Sequence, residues 1–138
     1  RELNSGTYMY FKEKVIQLDK KNSKDEFSPE VLLLSSSQAI VEEVFQNEAA
    51  IGYLGMGYAS DRIKLLELSH DGKTYFYPSM ENVQIKSYPL SRPLFMYTNG
   101  EPQGAAKIFI DFTLSPKGQE QFTKNGFVAL TQQQKIAP

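Results

Sequence analysis

An α/β fold, with helices alternating with strands, is the class this sequence predicts, on three observations. Apolar residues recur at helical spacing in three stretches: "TYMYFKEKVIQL" (7–18), "SSSQAIVEEVFQNEAA" (35–50) and "QGAAKIFIDFTLSPKGQEQFTKNGF" (103–127). Between them lie short runs rich in aromatic and branched residues, such as "AIGYLGMGYAS" (50–60) and "KTYFYPS" (73–79). Turn formers such as Asp71-Gly72 and Asn99-Gly100 punctuate the runs.

Taken along the chain, the first helix is expected from about Gly6 to Asp19. Tyr8, Phe11, Val15 and Leu18 line one face, Ser5 stands at the N-cap, and lysines lie near the other end. "DKKNSKDEFSP" (19–29) has no packing pattern and reads as a polar loop. The second helix is capped by Ser36 or Ser37, and Ile40, Val41, Val44 and Phe45 line one face. "AIGYLGMGYAS" reads as a buried strand whose glycines admit close backbone approach. "RIKLLELS" (62–69) and "KTYFYPS" read as hairpin arms around "HDGK" (70–73), with "SMENVQIKSY" (79–88) a short capped turn or helix. "YPLSRPLFMYTN" (88–99) is extended, because two prolines exclude a helix interior. Two helices close the pattern. The first buries Ala106, Ile108, Phe109, Phe112 and Leu114; the second starts at Ser115-Pro116, buries Phe122 and stops at Gly126. The tail "TQQQKIAP" (131–138) is polar and expected to fray. Helices outnumber clear strands, and none precedes the first helix. Arg1 therefore reads as the last residue of a strand that is not in the chain, and the chain as a fragment.

Composition narrows the function classes. A net charge of -1, with lysines scattered or confined to one polar loop, offers no footprint for nucleic acid or an anionic membrane. The absence of cysteine removes disulfides, zinc–thiolate sites and cysteine nucleophiles together. The single histidine, His70, sits at a tight turn and is read as a surface residue, so no metal site and no cofactor are expected. No apolar run approaches the roughly 18 residues of a membrane span. Glu42 and Glu43 lie on a helix face and read as solvated rather than as a catalytic pair.

The chemistry concentrates in Arg-x-x-x-Ser-Gly-Thr, Arg1 to Thr7. A helix start presents unpaired N–H groups and the positive end of the dipole, which attracts anions. Gly6 removes the Cβ that would keep a ligand off the backbone, and Ser5 and Thr7 flank it with hydroxyls. Arg1 supplies a planar fork for two oxygens of a tetrahedral oxyanion. The tripeptide alone reads as only a helix cap, a position Ser commonly takes. It is neither a P-loop nor a nucleophile elbow, because the Gly-Lys-Ser/Thr ending and Gly-x-Ser-x-Gly are both absent.

Its order with other motifs is more specific. Ile51-Gly52-Tyr53, Tyr88-Pro-Leu-x-Arg-Pro93 and a Phe-x-x-Phe…Leu-Ser-Pro-x-Gly-Gln ending (Phe109 to Gln119) follow in turn. This arrangement, from Arg1 to about Leu130, resembles the phosphate-binding proteins of bacterial phosphate ABC importers, in the type II periplasmic binding-protein superfamily. The resemblance implies part of a two-lobed α/β clamshell, each sheet flanked by helices on both faces, closing on one dry oxyanion. Residues 1–87 would form most of the second lobe without its first strands. Residues 88–138 would cross the hinge and return to the first lobe as C-terminal helices. The ligand contacts implied are Arg1, Ser5, Gly6 and Thr7, with the rest, including a carboxylate for the ligand proton, supplied by the absent N-terminal half. The implied ligand is inorganic phosphate and the implied partner an ABC permease in the membrane. The implied location is periplasmic or otherwise extracytoplasmic, in soluble or lipid-anchored form. Some relatives carry an acidic residue two positions after the arginine, where this chain has Leu3. The alternatives are another tetrahedral oxyanion, such as sulfate or molybdate, and a phosphatase using Ser5 or Thr7 as nucleophile. No base lies near the motif for the latter.

Overall fold

The computed structural model describes residues 1–131, so the expected fraying of the tail lies outside the described residues except at Thr131. The chain forms two compact units, Arg1–Leu65 and Leu66 onward.

In the first unit, α1 spans Gly6–Phe11 and runs directly into a π-helical turn, Lys12–Ile16. The ladder widens there, with Gln17 N–H donating to the Lys12 carbonyl at 2.8 Å. The predicted helix therefore ends before Asp19, because Leu18 and Asp19 turn left-handed, at φ 52° and 57°. α2 spans Ser37–Gln46, and a 3₁₀ turn covers Met56–Tyr58. Ile40 and Val41 are buried as expected, whereas Phe45 is exposed and carries the Arg62 guanidinium 4.0 Å above its ring. An aromatic cluster joins the pieces: Phe11 stacks on Tyr53 at 4.0 Å between centroids, and Phe27 packs on Tyr8 at 5.0 Å.

Residues 50–60 do not form the predicted strand. Ile51 is 82% exposed, and no ladder partner pairs with the segment among the described residues. A strand is stable only through its neighbours, and here the chain bends into the 3₁₀ turn instead. The close approach predicted from the glycines does occur. A Cβ on Gly52 would lie 2.7 Å from Ile40 Cγ2 and 3.1 Å from Val44 Cγ2.

In the second unit the predicted hairpin contracts to one antiparallel bridge, Leu68 to Phe76, bonded at 3.0 and 2.8 Å. Its turn is held by Asp71, whose carboxylate accepts from Lys73 N, Thr74 N and the Ser69 hydroxyl. Leu66, Tyr75 and Tyr77 stay exposed, so beyond the bridge the arms bury none of these apolar side chains. α3 spans Met80–Gln84 under a Ser79 cap, and residues 88–99 contain no helix, both as expected.

α4 (Gly104–Leu114) and α5 (Pro116–Lys124) meet at an elbow. As predicted, Ser115 caps α5 and Pro116 opens it; Gly126, at φ 77°, follows its end. Phe122, half-buried, meets Phe127 edge-on. The predicted burial along α4 does not occur. Ala106, Ile108, Phe109, Phe112 and Leu114 are all exposed, Ile108 to 71%, because only α5 packs against α4 among the described elements. The buried residues are Thr113, Gly118 and Gln119. Gln119 clasps the elbow, donating to the Thr113 carbonyl at 2.7 Å and accepting from Leu130 N–H at 2.8 Å.

Candidate functional site

The predicted oxyanion residues converge at the start of α1. Ser5 has the extended backbone of an N-cap, at φ -80° and ψ 129°, and its Oγ accepts from Thr7 N–H at 3.2 Å. A turn upstream, closed by Ser5 N–H on the Glu2 carbonyl at 3.0 Å, folds Arg1 back over the helix end. Arg1 Nε then donates to Ser5 Oγ at 3.3 Å. Gly6, the first helical residue, is exposed, and Thr7 is half-buried. Gly6 thus leaves the approach to the first N–H groups open, and those groups have no acceptor within the helix.

Lone-pair accounting fixes what Ser5 can offer a ligand. A hydroxyl has two acceptor lone pairs and one proton. Arg1 Nε and Thr7 N–H occupy both lone pairs, so the remaining capacity of Ser5 is donation. Arg1 is likewise donor-only. The arrangement therefore suits a ligand that presents acceptors.

One residue escaped the sequence reading. Ser36 caps α2 by accepting from Ala39 N–H at 3.0 Å, which frees Ser37 from that task. Ser37 is 6% exposed, and its Oγ accepts from Arg1 Nη1 at 3.5 Å, the outer limit of a hydrogen bond. The available signal was the serine triplet 35–37, which holds more hydroxyls than one cap needs.

Arg1 supplies the positive charge of the site, with the Glu2 carboxylate next to it in the chain and acting on its amino group. Among the described residues Arg1 forms no side-chain ion pair. Beside it, burial pushes the Tyr53 hydroxyl above its ordinary pKa; Tyr8 adds to that rise and the charge of Arg1 opposes it. Tyr8, 6% exposed, ties α1 to the aromatic cluster and so fixes the helix start.

Other candidates are accounted for elsewhere. Glu42 is not simply solvated: Arg62 grips it with both Nη atoms, and that hydrogen bond holds its carboxyl below the usual range. A surface cleft of about 260 Å³, lined by Gln38, Val41, Tyr58, Ser60 and Arg62 among others, holds none of the four predicted residues. His70 is exposed on its turn, as expected.

Comparison with known proteins adds the following. The family described as a PBP superfamily domain matches residues 1–117. The chain is 33% identical over 131 residues to the phosphate-binding protein PstS of Pseudomonas aeruginosa, covering 91% of this chain and 39% of that protein. It is 33% identical over 135 residues to phosphate-binding protein PstS 2 of Streptococcus agalactiae, covering 94% and 44%. The phosphate-binding protein PstS of Borreliella burgdorferi is 28% identical over 133 residues, covering 94% and 47%. The chain thus spans 39% to 47% of the length of these three curated relatives. No solved structure matches it.

Proposed function

The chain belongs to the PBP superfamily, and on that footing we propose that it forms one jaw of a phosphate-binding protein serving an ABC importer. The observation that carries this reading is the convergence of Arg1, Ser5, Gly6 and Thr7 on one helix start. It occurs in a segment matched by relatives named phosphate-binding proteins. Arg1 engages two phosphate oxygens end-on, the Ser5 and Thr7 hydroxyls donate to others, and the N–H groups at the start of α1 complete that side. The whole protein is a two-lobed clamshell of sheets flanked by helices. It works outside the cytoplasmic membrane and hands phosphate to a membrane permease. The site holds its ligand through hydrogen bonds and the charge of Arg1, and transforms nothing. Ser5 has no base among its hydrogen-bond partners, and both its lone pairs are engaged, which argues against a nucleophile. Sulfate or molybdate would satisfy the same donors; the relatives, named as phosphate-binding proteins, favour phosphate.

Isothermal titration of the full-length protein with inorganic phosphate tests the reading. Micromolar or tighter binding is expected, and none at those levels would overturn it. Arg1→Ala weakens that binding by about 1.5–3 kcal/mol, the scale of a hydrogen bond to a charged group. A loss below roughly 0.5 kcal/mol would remove Arg1 from direct contact with the ligand.

A further inference from the structure

Ser37 is placed in a way that the helix it opens does not explain. Ser36 supplies the cap of α2, so the Ser37 hydroxyl is not needed to satisfy the backbone there. It is nevertheless 6% exposed, and burying a hydroxyl is unfavourable unless a partner is present. The partner is a side chain 36 positions away, Arg1 Nη1 at 3.5 Å. Arg1 is thereby held at two points from two helices, Nε by Ser5 and Nη1 by Ser37. Held in this way, the guanidinium plane cannot turn about its terminal bonds without breaking one contact. Of its five N–H groups, one on Nη1 and two on Nη2 remain, enough to donate to two oxygens at once. Both restraints are neutral hydroxyls. A carboxylate in the same place would orient the guanidinium equally well but cancel the charge that attracts an anion. Leu3, two positions beyond Arg1, offers no such carboxylate and is exposed.

We propose that Ser37 is a positioning residue for Arg1: it sets the plane of the guanidinium that receives the oxyanion and leaves its charge uncompensated. The inference rests on the phosphate reading of the Arg1–Thr7 site.

The test is a double-mutant cycle in the full-length protein, titrated with inorganic phosphate, using Ser37→Ala, Arg1→Ala and both together. Ser37→Ala lowers affinity about tenfold, the scale of one lost hydrogen bond to a charged group. The same substitution changes nothing further once Arg1 is alanine. Ser37→Thr keeps the hydroxyl and restores most of the affinity. An equal loss in both backgrounds, or no loss in either, overturns the proposal, since a purely structural role for Ser37 would not depend on Arg1. A second readout needs no ligand. The ¹⁵N–¹H resonances of the Arg1 guanidinium are distinct and slowly exchanging in the unaltered protein and in Ser37→Thr, and collapse to an averaged signal in Ser37→Ala. Resonances unaffected by Ser37→Ala refute the positioning. If phosphate fails to bind the unaltered protein, the functional reading falls, and the guanidinium resonances alone decide the role of Ser37.

Discussion

Gly118→Ala sets two effects of opposite sign against each other, and the structure says which prevails. Gly118 lies inside α5 with a negative φ, where helix propensity alone favours alanine by about 1 kcal/mol. An alanine Cβ, however, would lie 2.1 Å from the Phe112 carbonyl oxygen and 2.8 Å from both Thr113 Cα and its oxygen. Carbon and oxygen normally approach no closer than about 3.3 Å, so α5 must retreat by about 1 Å. All three obstructing atoms are backbone, so no rotamer change relieves the clash. The retreat stretches the Ser115 cap, now 3.2 Å to Gly118 N, and the 2.7 Å bond from Gln119 to Thr113. Weakening the cap costs about 1 kcal/mol, which cancels the propensity gain. What remains is the overpacking, a net loss of about 1–3 kcal/mol. Urea denaturation of the full-length protein measures it, and exchange of the Leu130 amide, bonded to Gln119 Oε1, reports the elbow locally. A variant as stable as the parent, with Leu130 equally protected, would refute the reasoning.

Gly52→Ala drives a methyl against Ile40 Cγ2 and Val44 Cγ2, on side chains stiff at χ1, and should lower stability by about 1–2 kcal/mol in the same denaturation assay. An unchanged midpoint would mean that α2 does not bear on this segment. Asp71 gives a pH dependence. The N–H groups of Thr74 and Lys73, then the Ser69 hydroxyl, hold its carboxyl at about 2, below the ordinary 3.8. A depressed pKa stabilises the folded turn fully above the ordinary value, and that contribution disappears as pH falls from 3.8 towards about 2. The amide proton shifts of Lys73 and Thr74 should move through that window and stay flat in Asp71→Asn. Shifts that are flat in the parent as well would exclude the carboxylate as the holder of the turn.

What could be read from the sequence was chemistry that acts within a few residues. The caps at Ser5, Ser79 and Ser115 each bond an N–H two or three positions on, so residue type and neighbours suffice to find them. Between Ser36 and Ser37 the same reasoning could not choose, because either hydroxyl can cap a helix that starts there. The rest depends on partners distant in the chain. Periodicity showed that α4 has an apolar face but not what covers it, and in the described residues Ile108 and Phe109 face outward. Residues 50–60 carry strand composition, yet pairing is a property of two segments, and the second is missing among the described residues. The widening of the first helix at Lys12 leaves no mark that residue preferences can register. The Arg1–Ser37 contact spans 36 positions, and nothing local to either residue announces it.

Under the phosphate reading, the donor accounting also bounds what the start of α1 contributes to selectivity. Arg1 offers only protons, and Ser5, with both lone pairs engaged, offers only its own. Backbone N–H groups at the start of α1 do the same. Hydrogen phosphate differs from sulfate at this level by one proton that needs an acceptor, and a set of donors cannot register it. Under the phosphate reading, then, the residues at the start of α1 supply attraction and orientation through charge and geometry. Discrimination by protonation needs an acceptor, which Arg1, Ser5 and these N–H groups do not provide and which, among the side chains of the four residues, only the Thr7 hydroxyl carries. Losing Arg1 would therefore weaken every tetrahedral oxyanion together, and losing the acceptor would be needed to change which one is preferred.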